Sequence, residues 1–170
     1  MSHQLHDGKR VSVRQIRETD APLEAVFELI RDSTTWGGWS FAHYVTMERL
    51  GAEDPHGPGA IRVATAYFVG QAVPLTLREE IVELVPNRRI CYRVLDGVPV
   101  IAHLGEIDFI PREGGGTRIE WTSSFYPEAP EDGPILRRLT ENALRIITRQ
   151  ACLAVQHPAI QRPERLQRAA

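Results

Sequence analysis

Between residues 43 and 126 the chain offers one strand after another and leaves no room for a helix. The stretches HYVTMERL (43–50), AIRVATAYFVG (60–70), PLTLREEIVELV (74–85), RRICYRVL (88–95), VIAHLGEIDFIP (100–111) and TRIEWTSSFYP (117–127) all read as strands. Between them stand turn signals: Asp54 to Gly59 (DPHGPG), Val85-Pro86-Asn87, Asp96-Gly97 and Arg112-Glu113-Gly114-Gly115-Gly116. Consecutive strands joined by short turns can only pair antiparallel, because a parallel pair needs a long crossover. The chain is therefore α+β with an antiparallel meander, and the βαβ folds with their nucleotide sites are set aside.

The flanks complete the pattern. VSVRQIR (11–17) alternates as a further strand. Leu23, Val26, Phe27 and Ile30 recur at helical spacing, with Pro22 in the first turn and Asp20 or Ala21 at the cap. Asp32 sits badly at a helix C-terminus, where the dipole disfavours an anion, and well as the N-cap of a second short turn, STTWGGW. Two short helices meeting at Asp32 follow. A long helix is expected over about 134–156, closed by His157-Pro158, with Leu136, Leu139, Ala143, Ile146, Ile147, Gln150 and Ala154 on one stripe. Arg137, Arg138, Glu141, Arg145 and Arg149 lie opposite, with Glu141 and Arg145 spaced to pair. At 1.5 Å per residue this helix is about 35 Å long, enough to lie across several strands.

Composition excludes several functions. A formal net charge of −2 on 170 residues gives no polyelectrolyte basis for binding nucleic acid. Cys91 and Cys152 are far apart and fit neither a zinc site nor a disulfide framework, which suits a reducing cytoplasm. The first ten residues are polar, and no apolar run approaches the ~20 residues of a membrane span. The expectation is a cytoplasmic single domain over 1–157 with a polar tail, 158–170. There is no HExxH, GxSxG, P-loop or dinucleotide pattern, so no cofactor and no metal are implied.

The order of strand, two short helices, six strands and one long helix resembles the START-like SRPBCC superfamily, specifically its polyketide cyclase/dehydrase and lipid-transport branch. The residues that carry the resemblance are Ala21 to Phe27 (APLEAVF), Asp32 with Trp36 or Trp39, Gly57-Pro58-Gly59, Arg88 to Arg93 (RRICYR) and Gly116 to Trp121 (GTRIEW), in the family's order over about residues 10–155. The resemblance implies a helix-grip fold: a curved antiparallel sheet of six to seven strands wrapped around the C-terminal helix, with an internal cavity. The fold hosts transporters, cyclases, hydrolases and receptors, so it leaves function open.

Strand alternation assigns the cavity lining. Ile119, Trp121, Ser123 and Phe125 share one face, as do Ile90, Tyr92 and Val94. Ile101, His103, Gly105, Ile107 and Phe109 form the more apolar face of their strand. Ile61, Val63, Thr65, Tyr67 and Val69 are read as inward. For 75–84 either Thr76, Arg78, Glu80, Val82 and Leu84 or Leu77, Glu79 and Ile81 face in. Trp36 is read as core beneath the short helices and Trp39 as the cavity rim. The candidate ligand-binding set is Trp39, Tyr67, Tyr92, His103, Trp121, Ser123 and Phe125 from the rim and sheet, with Leu139, Ala143 and Ile147 from the helix.

Such a lining suits a small hydrophobic molecule with one or two hydrogen-bonding groups. The leading expectation is a binding protein for a lipid, polyketide or aromatic metabolite, acting as a monomer or homodimer. The alternatives are a cyclase/dehydrase-type enzyme with His103 transferring a proton and Tyr67 or Tyr92 orienting the substrate, and a regulatory interaction module.

Overall fold

In the computed structural model of the chain, residues 8–67 and 72–158 are described. Val69 and the outer end of the expected 60–70 strand lie outside them, as do residues 159–170 of the expected tail.

The strands are β1 (Val11–Thr19), β2 (Tyr44–Arg49), β3 (Ile61–Ala66), β4 (Leu75–Val85), β5 (Arg89–Asp96), β6 (Val100–Pro111) and β7 (Thr117–Pro127). They form one antiparallel sheet in the order β1-β7-β6-β5-β4-β3-β2. The meander thus runs unbroken from β2 to β7, and β1 closes onto its last strand. The β6–β7 turn needs backbone that only glycine adopts cheaply, and Gly114, Gly115 and Gly116 all have positive φ.

Helix α1 (Leu23–Arg31) buries Val26, Phe27 and Ile30, and a 3-10 helix (Ser33–Gly38) follows it. Pro22 is itself the N-cap of α1, rather than Asp20 or Ala21, and its carbonyl accepts the Val26 amide at 3.2 Å. Proline serves there because an N-cap contributes its carbonyl, not its N–H. Asp32 caps the 3-10 helix as the dipole argument requires, its carboxylate accepting the Thr34 amide at 3.2 Å.

The long helix α2 (Gly133–Gln156) buries Leu136, Leu144, Ile147, Ala151 and Ala154. On its outer face Glu141 reaches back to Arg137 at 3.8 Å, not forward to Arg145, which donates to Asn142. No helix among the described residues is long and apolar enough to cross a membrane. The architecture is the curved antiparallel sheet and long C-terminal helix of a helix-grip fold.

Helix α2 makes its close backbone contacts with β1, β7 and α1. A straight helix cannot stay on a bent sheet along its whole length. It grips the β1–β7 end, and the surface of β3–β6 is left for side chains to cover or for a pocket to form.

Register fixes what lies in that surface. Tyr92 pairs with Gly105, and Gly105 pairs with Ser123, making one row across β5, β6 and β7. The Tyr92 ring lies over Gly105, where an added Cβ would stand 2.2 Å from Cζ of the ring. Because that backbone is ordinary, the cost of Gly105→Ala is purely steric. Overpacking of this kind costs about 1–3 kcal/mol. Denaturant unfolding is expected to show that loss, and near-UV circular dichroism a changed Trp121 environment, since Trp121 donates to the Tyr92 hydroxyl at 2.9 Å.

Candidate ligand pocket

A pocket of about 730 Å³ opens between α2 and the β3–β7 part of the sheet. Its walls are mostly apolar. Leu136, Leu139, Ala143, Ile146 and Ile147 come from α2, Leu75 and Leu77 from β4, and Val98, Pro99 and Val100 from the turn into β6. Phe41 and Ala42 follow the 3-10 helix, and Trp36 belongs to it.

Tyr92, His103, Trp121, Ser123 and Phe125 from the sheet, with Leu139, Ala143 and Ile147 from the helix, all lie in this lining. Leu139 is more than half exposed and stands at the mouth. Two expected lining residues do not face the pocket.

Tyr67 lies beyond the end of β3, is 53% exposed, and packs edge-on against His43 at 5.1 Å. The cause is an inverted phase: Arg62 and Ala64, not Ile61, Val63 and Thr65, turn toward the pocket. An arginine between two β-branched residues reads as the solvent side of a strand, but here its charge is neutralised inside.

Trp39 is buried away from the lining, and Trp36 takes the place expected of it. The Trp36 indole donates to the Ile30 carbonyl at 3.1 Å, one of the carbonyls that the end of α1 leaves without a helical partner. This anchor turns Trp36 inward, while Trp39 packs edge-on behind it at 5.9 Å and donates to Thr35 Oγ1.

Strand β4 resolves its open phase the other way from Glu80. Leu75, Leu77 and Glu79 face the pocket, whereas Glu80 lies on the outer face, accepting from Arg49 and Arg93. Glu79 is the register partner of Arg62, and their side chains meet at 2.8 Å with exposures of 9% and 3%. The Arg62 guanidinium lies 4.3 Å from the Trp36 ring centre and 5.0 Å from that of Tyr92. Its Nη2 has no hydrogen-bond partner among the described residues. Sequence alternation left Glu79 as one of two inward options but put Arg62 on the outer face, and so missed the pair. The signal that identifies it is an arginine and a glutamate on neighbouring strands at positions that a hairpin register brings together.

On β6 the expected inward set is broken by a bulge. Ile101 pairs with Tyr126 and Leu104 with Ser124, so three steps on β6 oppose two on β7. Ala102 has φ +49 within this bulge. Val100 and His103, three apart, therefore both line the pocket, and Ile101 does not.

The His103 ring is held at both nitrogens. Nδ1 accepts the Val94 amide at 3.2 Å, and Nε2 lies 3.0 Å from Ser123 Oγ. An amide can only donate, so Nδ1 carries no proton and Nε2 does. His103 also stacks on Phe125, centres 6.4 Å apart. Burial holds its pKa below the ordinary value of 6.5, with the Glu79 charge opposing in part. Protonation would also set one N–H against another. Burial likewise pushes the Tyr92 hydroxyl up, helped by Glu79. Among the described residues no group of three or more His, Cys, Asp or Glu side chains converges as a metal ion would require.

Two outcomes are expected of these charges. Glu79→Ala strands a buried guanidinium and should cost about 3–5 kcal/mol in denaturant unfolding, whereas Arg62→Met with Glu79→Leu should cost much less than the single change. For His103, the folded pKa lies below the unfolded one. Its neutral form therefore contributes stability in full above pH 6.5, and that contribution is lost as pH falls from there through the depressed folded value. Thermal melts should show the wild type losing stability faster than His103→Gln over that interval.

Comparison with known proteins agrees with this geometry. The family model for polyketide cyclase / dehydrase and lipid transport matches residues 10–153. No curated protein matches the chain significantly in sequence. Among solved structures, a START superfamily protein from Mycobacterium smegmatis superposes with a TM-score of 0.74 at 13% identity, covering 86% of this chain and 98% of that one. A protein from Thermobifida fusca gives 0.69 at 24% identity, covering 85% and 92%. The di-domain ARO/CYC StfQ from the steffimycin biosynthetic pathway gives 0.74 at 14% identity, covering 92% of this chain and 54% of that one. These likenesses carry the fold, and the family match carries the assignment: the chain belongs to the polyketide cyclase / dehydrase and lipid transport family.

Proposed function

We propose that the chain binds a small hydrophobic molecule in the pocket between its sheet and α2. One observation carries this reading: a pocket of about 730 Å³ with a predominantly apolar lining. Its size falls within the usual span for small-molecule sites, roughly 300–1,000 Å³, and is far larger than a packing fault. In this reading Trp36, Tyr92, Trp121, Phe125, Leu139, Ala143 and Ile147 contact the apolar body of the ligand. Arg62, Glu79, His103 and Ser123 supply polar groups from the sheet side of the same lining, which also includes Ser40, Thr140 and Asn142.

The enzyme reading has one observation in its favour, the His103–Ser123 contact at 3.0 Å inside the lining. A nucleophilic serine needs a neighbouring nitrogen free to take its proton, and a third group that accepts from the other ring nitrogen. Here the neighbouring nitrogen already carries a proton, and the other nitrogen accepts from Val94. The pair thus has the distance of a catalytic dyad with the protons on the wrong atoms, which supports binding over proton transfer.

The test is uptake of N-phenyl-1-naphthylamine, a neutral probe that fluoresces in apolar surroundings. The wild type should bind it, and Ala143→Trp, which puts an indole into the pocket, should weaken binding by at least tenfold while leaving the melting transition cooperative. A wild type that fails to bind the probe, or a variant that binds it equally well, sinks the proposal. Native mass spectrometry of protein from its source cells would then identify the natural occupant.

A further inference from the structure

Two hydroxyls on the inner wall, of Ser123 and Tyr92, have no acceptor for their own proton among the described residues. Ser123 is 4% exposed, and His103 Nε2 is the one partner its hydroxyl finds among the described residues. If His103 were free to accept there, the serine proton would be satisfied. The Val94 amide prevents that by occupying Nδ1, so Nε2 donates and the serine oxygen accepts. The hydroxyl hydrogen is then left over, and Ser123 lines the pocket. The Tyr92 hydroxyl stands in the same position: it accepts from the Trp121 indole and has no acceptor of its own among the described residues.

Val94 explains why the tautomer is built in. Ladder pairing between β5 and β6 ends at Tyr92 with Gly105, just short of Val94. The bulge carries the β6 backbone out of register, and the His103 ring meets the Val94 N–H that would otherwise lack a partner. Satisfying a backbone donor thereby decides which ring nitrogen carries the proton.

We infer that the pocket selects apolar molecules carrying a carbonyl or carboxylate oxygen, which accepts from the Ser123 hydroxyl, and that His103 is a positioning residue that turns this hydroxyl toward the ligand. The inference rests on the binding function proposed above. A buried donor left without a partner is costly, so an oxygen that accepts from it gains over a ligand of equal shape that lacks one. His103 transfers no proton in this role.

The probes are 2-acetylnaphthalene and 2-ethylnaphthalene, nearly equal in shape and differing in one carbonyl, with affinities read from quenching of the pocket tryptophans. The wild type should bind the acetyl compound about three- to tenfold more tightly. Ser123→Ala should bring the two affinities within about twofold. His103→Leu should do the same. His103→Gln, whose amide both accepts and donates, should retain the preference, which a merely space-filling role for the histidine would not produce. Long-range proton–nitrogen correlation spectra of the unaltered protein should show Nε2 protonated.

Equal affinities in the wild type, an undiminished preference in Ser123→Ala, or a proton on Nδ1 would overturn the inference while leaving ligand binding intact. Failure of the wild type to bind either compound would take the binding function down with it. The affinities and spectra of the unaltered protein decide the matter even if a variant does not fold.

Discussion

The buried pair of Arg62 and Glu79 organises the concave side of this protein. Two charges with side-chain exposures of 3% and 9% are expensive to remove from water, by several kcal/mol each before their attraction is counted. The fold surrounds them with contacts that offset part of this. The guanidinium lies against Trp36 and Tyr92, whose ring faces attract a cation. Those rings are themselves fixed, Trp36 by the last turn of α1 and Tyr92 by the Trp121 indole. A line of contacts therefore runs from α1 through the pair to β7, and it passes along the wall of the pocket. The side chains that hold the pair are also the ones that shape the site.

The opposite face of the sheet follows a different rule. Arg14 and Arg118 flank Glu120, Arg49 and Arg93 flank Glu80, and Arg89 meets Glu106 and Asp108. Apart from Arg118–Glu120, which lie two apart on β7, these are cross-strand pairs near water, and each is worth little on its own. Their number explains why alternation was a good guide on most strands: a charge on β5, β6 or β7 does mark the outer face. On β3 the same rule fails, and on β4 it leaves the phase open, because Arg62 and Glu79 are charges that neutralise each other inside.

The architecture was legible because it depends on coarse signals. Short turns force antiparallel neighbours, and the stripe from Leu136 to Ala154 requires a helix with one buried face. Asp32 was legible too, since both the dipole and the capping argument place it between the two short helices. The site was legible only where alternation held, as at Tyr92, Trp121, Ser123 and Phe125. Trp36 is buried in the core as expected and lines the pocket as well, whereas Trp39 was misplaced, because an indole's direction at a 3-10 helix depends on which acceptor its N–H finds. Tyr67 was misplaced by the phase of β3, which its own sequence reports with the wrong sign. The errors on β3 and β6 lie where a cross-strand partner overrides a local pattern, whereas the tryptophan error is decided by nearby partners, Ile30 and Thr35.

The bulge in β6 shows how such an override can create a site. With regular pairing, residues two apart share a face, and Ile101 would stand beside His103 on the concave side. The extra residue, with Ala102 held at φ +49, brings Val100 and His103 to the pocket instead. A non-glycine residue in that conformation costs of order 1 kcal/mol or more, so the surrounding contacts must hold it there. They are visible: His103 stacks on Phe125, accepts from Val94 and meets Ser123, three ties from three directions. The strain, the lost ladder bond at Val94 and the histidine that replaces it are parts of one arrangement. Its result is a small polar patch, His103 and Ser123, set in a mostly apolar pocket lining.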